Sequence, residues 1–118
     1  MSDRPAIAYK VLTGEQMAAL ERDASFAGAP IDLTDGYIHL STADQLTETV
    51  DKHFAWKGDL HVAAVDLEAL GGAVKWEESR GGALFPHLYG GPLLLETVIA
   101  YGPLERDADG AVKLPVAG

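Results

Sequence analysis

The sequence contains no cysteine in its 118 residues. This absence excludes disulfides, thiolate zinc sites, iron–sulfur clusters and cysteine nucleophiles. Cations are also scarce, because nine Lys and Arg stand against eighteen Asp and Glu, for a formal net charge of −9. A surface that neutralises many phosphates needs clustered cations. We therefore expect neither bulk DNA or RNA binding nor attachment to an anionic membrane surface.

Long hydrophobic runs are missing as well. No stretch approaches the ~20 apolar residues that cross a bilayer. The first residues lack the apolar core and cleavage site of a secretory signal, which favours a cytoplasmic protein. The composition, 47% hydrophobic and 23% charged, is that of a globular chain. The length predicts one domain over residues 1–118, with a polar tail at residues 1–5.

The first half of the chain predicts two strands, the second of them at residues 37–41, and two helices. Residues 6–12 alternate as a strand does, and residues 14–23 follow as a helix. Thr13 and Gln16 have the spacing of a capping box, and Thr42 and Gln45 repeat it before a second helix that extends to about residue 54. We expect this second helix to bury Leu46, Val50, His53 and Phe54. Residues 25–36, rich in Gly, Pro and Asp, predict a long loop.

The second half predicts further strands at residues 60–67, 74–78 and 93–101. The last of these is almost continuously apolar, which is typical of a central strand. Residues 79–92 carry four glycines and two prolines and predict a structured loop. An Asp109-Gly110 turn predicts an edge hairpin within residues 105–118. The fold class expected is α+β, with a mixed or antiparallel sheet of five or six strands and two early helices.

One group of candidate site residues lies on a predicted strand over residues 37–41. Tyr37, His39 and Ser41 share one strand face, and Thr42 begins the next helix. The free N–H groups and partial positive charge of a helix start can hold a phosphate or carboxylate. We predict that Tyr37, Ser41 and Thr42 bind a ligand and that His39 is catalytic. Alternatively, the hydroxyls only cap the helix and His39 forms a buried hydrogen bond.

A second group follows in residues 76–89. Trp76 beside Glu77 could desolvate the carboxylate and raise its pKa into a useful acid–base range. Arg80 could clamp an anion, and His87 and Tyr89 add an imidazole and a phenol to a glycine-rich segment. We predict catalytic roles for Glu77 and His87, and ligand binding by Arg80 and Tyr89. The alternatives are an exposed Glu–Arg pair and a tightly turned loop whose apolar residues plug the core.

Several sharper motifs are missing. The sequence has no G-x-G-x-x-G or G-x-x-x-x-G-K-[ST] nucleotide fingerprint, and Ser41 does not stand in a G-x-S-x-G elbow. The four histidines lack the spacing of H-E-x-x-H, so we predict no metal site. The motifs identify no cofactor.

Three segments together resemble a known family: DGYIHLST at residues 35–42, KWE at 75–77 and FPHLYG at 85–90. They resemble the bacterial and plant proteins of domain-of-unknown-function family 952, over about residues 6–104. The family carries no established activity. Its fold is similar to that of the ADP-ribosyltransferases, in which a split sheet holds NAD. The resemblance aligns His39–Thr42 with the second motif of those enzymes, places Lys10 where they carry His, and makes Glu77 the nearest candidate for their catalytic Glu.

These observations predict a polar pocket for an anionic or nucleotide-like small ligand. A glycosyl- or ADP-ribosyl-transfer enzyme is one form of this hypothesis. The alternative is a non-catalytic protein-interaction or structural domain. An interaction domain would expose an apolar patch around Trp56, Phe85 and Leu88, whereas a pocket would bury these side chains.

Overall fold

A computed structural model describes residues 5–54, 58–79 and 82–115. Within these ranges the chain forms eight strands and four α-helices. The strands are β1 (Ile7–Thr13), β2 (Ser25–Phe26), β3 (Ile38–His39), β4 (Leu60–Asp66), β5 (Val74–Glu78), β6 (Leu84–Leu88), β7 (Leu93–Leu94) and β8 (Val98–Pro103). The helices are α1 (Gly14–Asp23), α2 (Pro30–Asp35), α3 (Ala43–His53) and α4 (Leu67–Leu70), with short 3-10 turns at Gly71–Ala73 and Leu95–Thr97.

The strands of the described residues pair antiparallel in three sheets, ordered β1-β4-β8, β2-β7 and β3-β6-β5. The two three-stranded sheets meet at one bridge between Tyr9 and Ser41. There the Tyr9 amide donates to the Ser41 carbonyl at 2.7 Å, and the Ser41 amide donates to the Tyr9 carbonyl at 2.9 Å. The chain after β3 therefore passes directly from one sheet to the other.

Strand β1 lies between two hydrophobic clusters, because both of its faces are buried. Ala8 and Leu12 pack on the side that α1 covers with Met17 and Leu20. The opposite face packs against α3. Its buried members are Tyr9, Val11, Leu46, Val50, Leu60, Val62, Ala64 and Val112.

The predictions made from strongly periodic segments are confirmed, and the class is α+β. Helix α1 has the predicted bounds, and the Thr13–Gln16 capping box forms with bonds of 3.0 and 3.1 Å. Strands β4 and β5 lie where alternation placed them. The predicted hairpin near the end of the chain forms a bridge between Arg106 and Val112. None of the described helices has the length and apolar character needed to cross a membrane.

Other predictions were wrong. The sheet is not a single one of five or six strands, and residues 25–36 are not a loop, since they hold β2 and the six-residue α2. Helix α2 was hidden because it is short and is held by tertiary contacts rather than by a hydrophobic stripe. His53 is exposed at the end of α3 instead of belonging to its buried stripe.

Two strand assignments late in the chain also need correction. Residues 79–92 are not a loop throughout, because β6 lies inside them as the central strand of its sheet. Gly82 and Gly90 flank the strand, and Pro86 keeps its carbonyl in the ladder by accepting from the Leu40 amide at 3.1 Å. Residues 93–101 are not one central strand, since a 3-10 turn separates β7 from β8 and β8 lies at a sheet edge.

Candidate functional site

A buried carboxylate, Asp32 of α2, holds three segments of the chain together. Its Oδ2 accepts hydrogen bonds of 2.8 Å from Lys10 Nζ and from the Ala29 amide. Its Oδ1 accepts from the His39 amide at 3.0 Å and lies 2.6 Å from His39 Nδ1. Lys10 Nζ also donates to the His39 carbonyl at 3.1 Å. We call these four residues, Lys10, Ala29, Asp32 and His39, the Asp32 network.

The Asp32 network is an ion pair nearly out of contact with water, with side-chain exposures of 7% for Lys10 and 1% for Asp32. Burial by itself raises the pKa of Asp32, but the hydrogen bond from His39 and the charge of Lys10 outweigh it and hold that pKa well below its usual range. Burial lowers the pKa of Lys10, and the Asp32 charge opposes this shift. Each charge is therefore tolerated only because the other is present.

His39 lies between two carboxylates. While Nδ1 faces Asp32, Nε2 lies 3.0 Å from Asp35 Oδ2. Only an imidazole protonated on both nitrogens can donate to both oxygens at once. The contacts therefore hold the imidazole of His39 fixed between Asp32 and Asp35.

Four aromatic and imidazole rings pack together beside this network, and we call Tyr37, His39, His87 and Tyr89 the ring cluster. The Tyr37 ring stacks on His87 with centroids 4.1 Å apart and planes at 24°. It also lies 4.7 Å from His39 and 5.1 Å from Tyr89. His39 and His87 approach edge to face at 5.4 Å. The antiparallel pairing of β3 with β6 explains this, because it places His39 opposite His87.

Glu77 of β5 completes the cluster with its carboxylate. Its Oε1 accepts from the Tyr89 hydroxyl at 2.6 Å and lies 2.8 Å from His87 Nδ1. His87 is buried, whereas the Glu77 side chain is 40% exposed. The hydrogen bonds from Tyr89 and His87 lower the pKa of Glu77, so the expected rise beside Trp76 was wrong. The hydrogen bond that Tyr89 donates to Glu77 also raises the pKa of Tyr89 to about 12.

Two open grooves adjoin the cluster on either side of residues 90–92. One, with a volume of about 460 Å³, is lined by Tyr37 and Asp32 among others. The other, of about 530 Å³, is lined by Tyr89 and by residues of α4 and the second 3-10 turn. Gly90, Gly91 and Pro92 border both grooves. The charged and aromatic groups therefore lie between two concave surfaces rather than at the bottom of one.

The predicted site residues fall into three sets. Tyr37, His39, Glu77, His87 and Tyr89 lie together, on the adjacent strands β3, β6 and β5 and the residues flanking them. Ser41 and Thr42 lie apart from them, and Arg80 lies outside the described residues.

The polar groups of Ser41 and Thr42 are used by the fold. Ser41 is buried, its Oγ lies 2.9 Å from Thr49 Oγ1, and its backbone forms the bridge to Tyr9. The Thr42 amide donates to Gln45 Oε1 at 3.0 Å. These contacts engage the Ser41 hydroxyl and the Thr42 amide within the fold, which favours a structural role for both residues at the start of α3.

Sequence reasoning missed Asp32 and Asp35 altogether and gave Lys10 no counter-ion. A signal for the buried pair was present in β1, where Lys10 lies on the same strand face as Ala8 and Leu12, and that face is buried and otherwise apolar. A lysine in such a position needs a buried anion, because an unpaired charge in the core is very costly. The sequence offered no means of choosing Asp32 among eighteen acidic residues.

Comparisons with known proteins agree with the described fold. The family described as "Protein of unknown function (DUF952)" matches residues 11–101. The crystal structure of protein CC0527 from Caulobacter crescentus is 44% identical, with a TM-score of 0.81 over 91% of this chain and 93% of that one. Its solution NMR structure is 44% identical, with a TM-score of 0.77 over 92% of this chain and 91% of that one. No curated protein matched the sequence.

Proposed function

Because this chain belongs to the DUF952 family, whose description assigns no function, we propose from its geometry that it binds a small molecule at the ring cluster and transfers a proton there. The observation that carries the proposal is the 2.8 Å contact between His87 Nδ1 and Glu77 Oε1. A carboxylate that orients an imidazole is a recurrent arrangement for general acid–base catalysis. Glu77 fixes Nδ1, so Nε2 is the nitrogen that exchanges a proton with the ligand.

The roles of the other members follow from their contacts. Both nitrogens of His39 already contact carboxylates, so this residue contributes a fixed ring to the cluster rather than proton transfer. Tyr37 contacts the ligand through its ring. Tyr89 donates to Glu77 and keeps that carboxylate ionised. His87 is thus the proposed proton-transfer residue, with Glu77 as its positioning partner.

The ligand proposed is small and nucleotide-like, with one anionic group. Aromatic rings suit a planar moiety. Lys75, whose Nζ lies 4.9 Å from the centre of the Tyr89 ring, supplies a cation for the anionic group at the edge of the cluster. The net charge of −9 disfavours a polyanion.

In a glycosyl- or ADP-ribosyl-transfer reaction, ionised Glu77 would hold ribose hydroxyls and stabilise the developing oxocarbenium charge. The two three-stranded sheets that meet at Tyr9 and Ser41 support the proposed likeness to the split sheet of ADP-ribosyltransferases. Lys10, aligned with their cofactor-gripping His, is bound to Asp32 instead. Residues other than Lys10 would therefore have to bind a cofactor. Superposition on solved ADP-ribosyltransferases tests the fold likeness.

Calorimetric titration with adenosine monophosphate, ADP-ribose and NAD tests the binding proposal. We expect saturable binding of at least one of them, and a loss of about tenfold or more in affinity for His87→Gln, as for a removed charge-assisted bond. His61→Gln is the matched control, because His61 lies on β4 outside the ring cluster. Equal affinities of wild type and His87→Gln would contradict the proposal.

The interaction-domain alternative predicts an exposed patch around Trp56, Phe85 and Leu88, and the exposure of the two described members does not support it. Leu88 is 3% exposed and Phe85 is half-buried, while Trp56 lies outside the described residues. A purely structural role for the ring cluster stays a second hypothesis. It predicts that His87→Gln lowers the unfolding temperature while no ligand of the series above shifts it in either protein.

A further inference from the structure

The groove that contains Tyr37 shares this residue with the ring cluster, and we call it the Tyr37 groove. Its other side is formed by Gly90, Gly91 and Pro92, and its volume is about 460 Å³. A molecule that packs on Tyr37 in this groove contacts the residue that stacks on His87 at 4.1 Å. Occupancy of the groove is therefore linked directly to the proposed proton-transfer residue.

Gly90 and Gly91 line the Tyr37 groove with backbone atoms alone, because glycine has no side chain. Gly90 and Gly91 have φ values of +84° and +154°, which L side chains rarely adopt. A Cβ at either position would meet no atom within 4 Å, so the space beside them is open. Among residues 5–54, 58–79 and 82–115, no partner accepts a hydrogen bond from either amide. Two exposed glycines whose amides have no partner among the described residues thus border this groove, as they border the second one.

The groove has little free charge to offer a ligand. Ile38 and Leu88 contribute buried apolar side chains to its lining. Asp32 is the only acidic or basic side chain among the described residues that line it, and both its oxygens are bonded within the Asp32 network. A charged group would lose its hydration here without gaining a counter-ion.

We infer that the Tyr37 groove binds an uncharged planar heteroaromatic ring, which packs against Tyr37 and accepts hydrogen bonds from the amides of Gly90 and Gly91. The inference rests on the proposed function, since it places the uncharged end of the ligand in the groove and the reacting end at His87. It makes Tyr37 the residue that selects for a flat ring.

NMR titration of the full-length, nitrogen-15-labelled chain tests this inference on the wild-type protein. Adenosine is the uncharged probe, and inorganic phosphate is the charged probe without a ring. We expect saturable shifts of the Gly36, Gly90 and Gly91 amides with adenosine and none of these with phosphate. Absence of saturable glycine shifts with adenosine would overturn the inference.

Three variants make the test specific. Tyr37→Ala should weaken adenosine binding about tenfold or more, in line with the loss of one base–aromatic stack, whereas Tyr37→Phe should keep it within about threefold because the ring remains. Tyr101→Ala is the control, since Tyr101 is an exposed tyrosine on β8 that bonds Glu21. Equal loss in Tyr37→Phe and Tyr37→Ala would overturn the stacking role.

The outcome also separates this inference from the proposed function. Adenosine shifts at His87 and Glu77 without shifts at the glycine amides would overturn the groove and leave the proton-transfer site standing. Glycine shifts that persist in His87→Gln, together with unchanged binding of every charged ligand by that variant, would support the groove and contradict the proposed role of His87.

Discussion

Two histidine–carboxylate pairs lie side by side in this molecule, and they differ in their access to water. The Asp32 carboxylate that faces His39 is 1% exposed, whereas the Glu77 carboxylate that faces His87 is 40% exposed. Asp32 spends both oxygens on protein donors from three segments. The contacts of Glu77 with His87 and Tyr89 both fall on a single oxygen, Oε1. A histidine and a carboxylate therefore stabilise the fold in one place, whereas in the other the carboxylate of Glu77 stays accessible while the His87 ring is buried.

The largest expected effect is on the buried pair. Asp32→Asn leaves the Lys10 ammonium in the core without a counter-ion, and we expect it to lower the free energy of unfolding by about 3–5 kcal/mol. Urea denaturation at neutral pH measures this loss. Glu77→Gln is the matched control, because a half-exposed carboxylate should cost much less. Equal losses in the two variants would mean that burial does not distinguish the pairs.

Acid should affect the two pairs in the same direction but to different extents. Both carboxylates have folded-state pKa values below their ordinary ones. Their stabilising contribution is therefore complete above about pH 4, the ordinary range of these groups, and is lost as pH falls toward the folded pKa.

Denaturation series between pH 5 and about pH 2 check this expectation. We expect the wild-type free energy of unfolding to fall over this range. Asp32→Asn should reduce the dependence of the free energy of unfolding on pH more than Glu77→Gln does. The reason is that the hydrogen bonds and the Lys10 charge act on the Asp32 carboxylate, which is buried. If the free energy of unfolding fell more steeply with acid in Asp32→Asn than in the wild type, protonation of Asp32 would not be the cause of the loss.

The smallest expected effect concerns the phenol of Tyr89, which bonds the Glu77 carboxylate of the His87–Glu77 pair. Its bond to Glu77 raises the pKa of Tyr89 to about 12. Carbon-13 NMR of labelled tyrosine should therefore show no titration of Tyr89 up to about pH 11 in the wild type, and titration near the ordinary value of about 10 in Glu77→Gln. Tyr89→Phe identifies the resonance. A wild-type Tyr89 that titrates near 10 would show that the bond is not maintained in solution.

The parts of the fold that could be predicted carry their information locally. The capping box at Thr13 and the alternation in β4 depend on near neighbours in sequence, and both are present. Helix α2 and strand β6 depend on distant partners, and their segments, rich in glycine and proline, resemble loops. A central strand that contains Pro86 contradicts propensity and is held by its neighbours β3 and β5.

In the candidate site, too, local patterns identified some residues, whereas others depend on contacts between distant segments. Alternation and residue type brought attention to the ring cluster and Glu77, because polar residues in a glycine-rich segment stand out. The same alternation grouped Ser41 with Tyr37 and His39, but the chain leaves β3 after His39 and Ser41 pairs with Tyr9 in the other sheet. The Lys10–Asp32 pair spans 22 positions, a separation that no local pattern reveals.

The boundary between the two larger sheets is held by consecutive residues of β1, Tyr9 through its backbone and Lys10 through its ammonium group. Successive side chains of a strand point to opposite faces, so a residue inserted between Tyr9 and Lys10 would turn one of the two away from its partner. The spacing of these two residues is consequently under tight constraint. A comparable length change after β8, at the sheet margin, would leave the boundary intact.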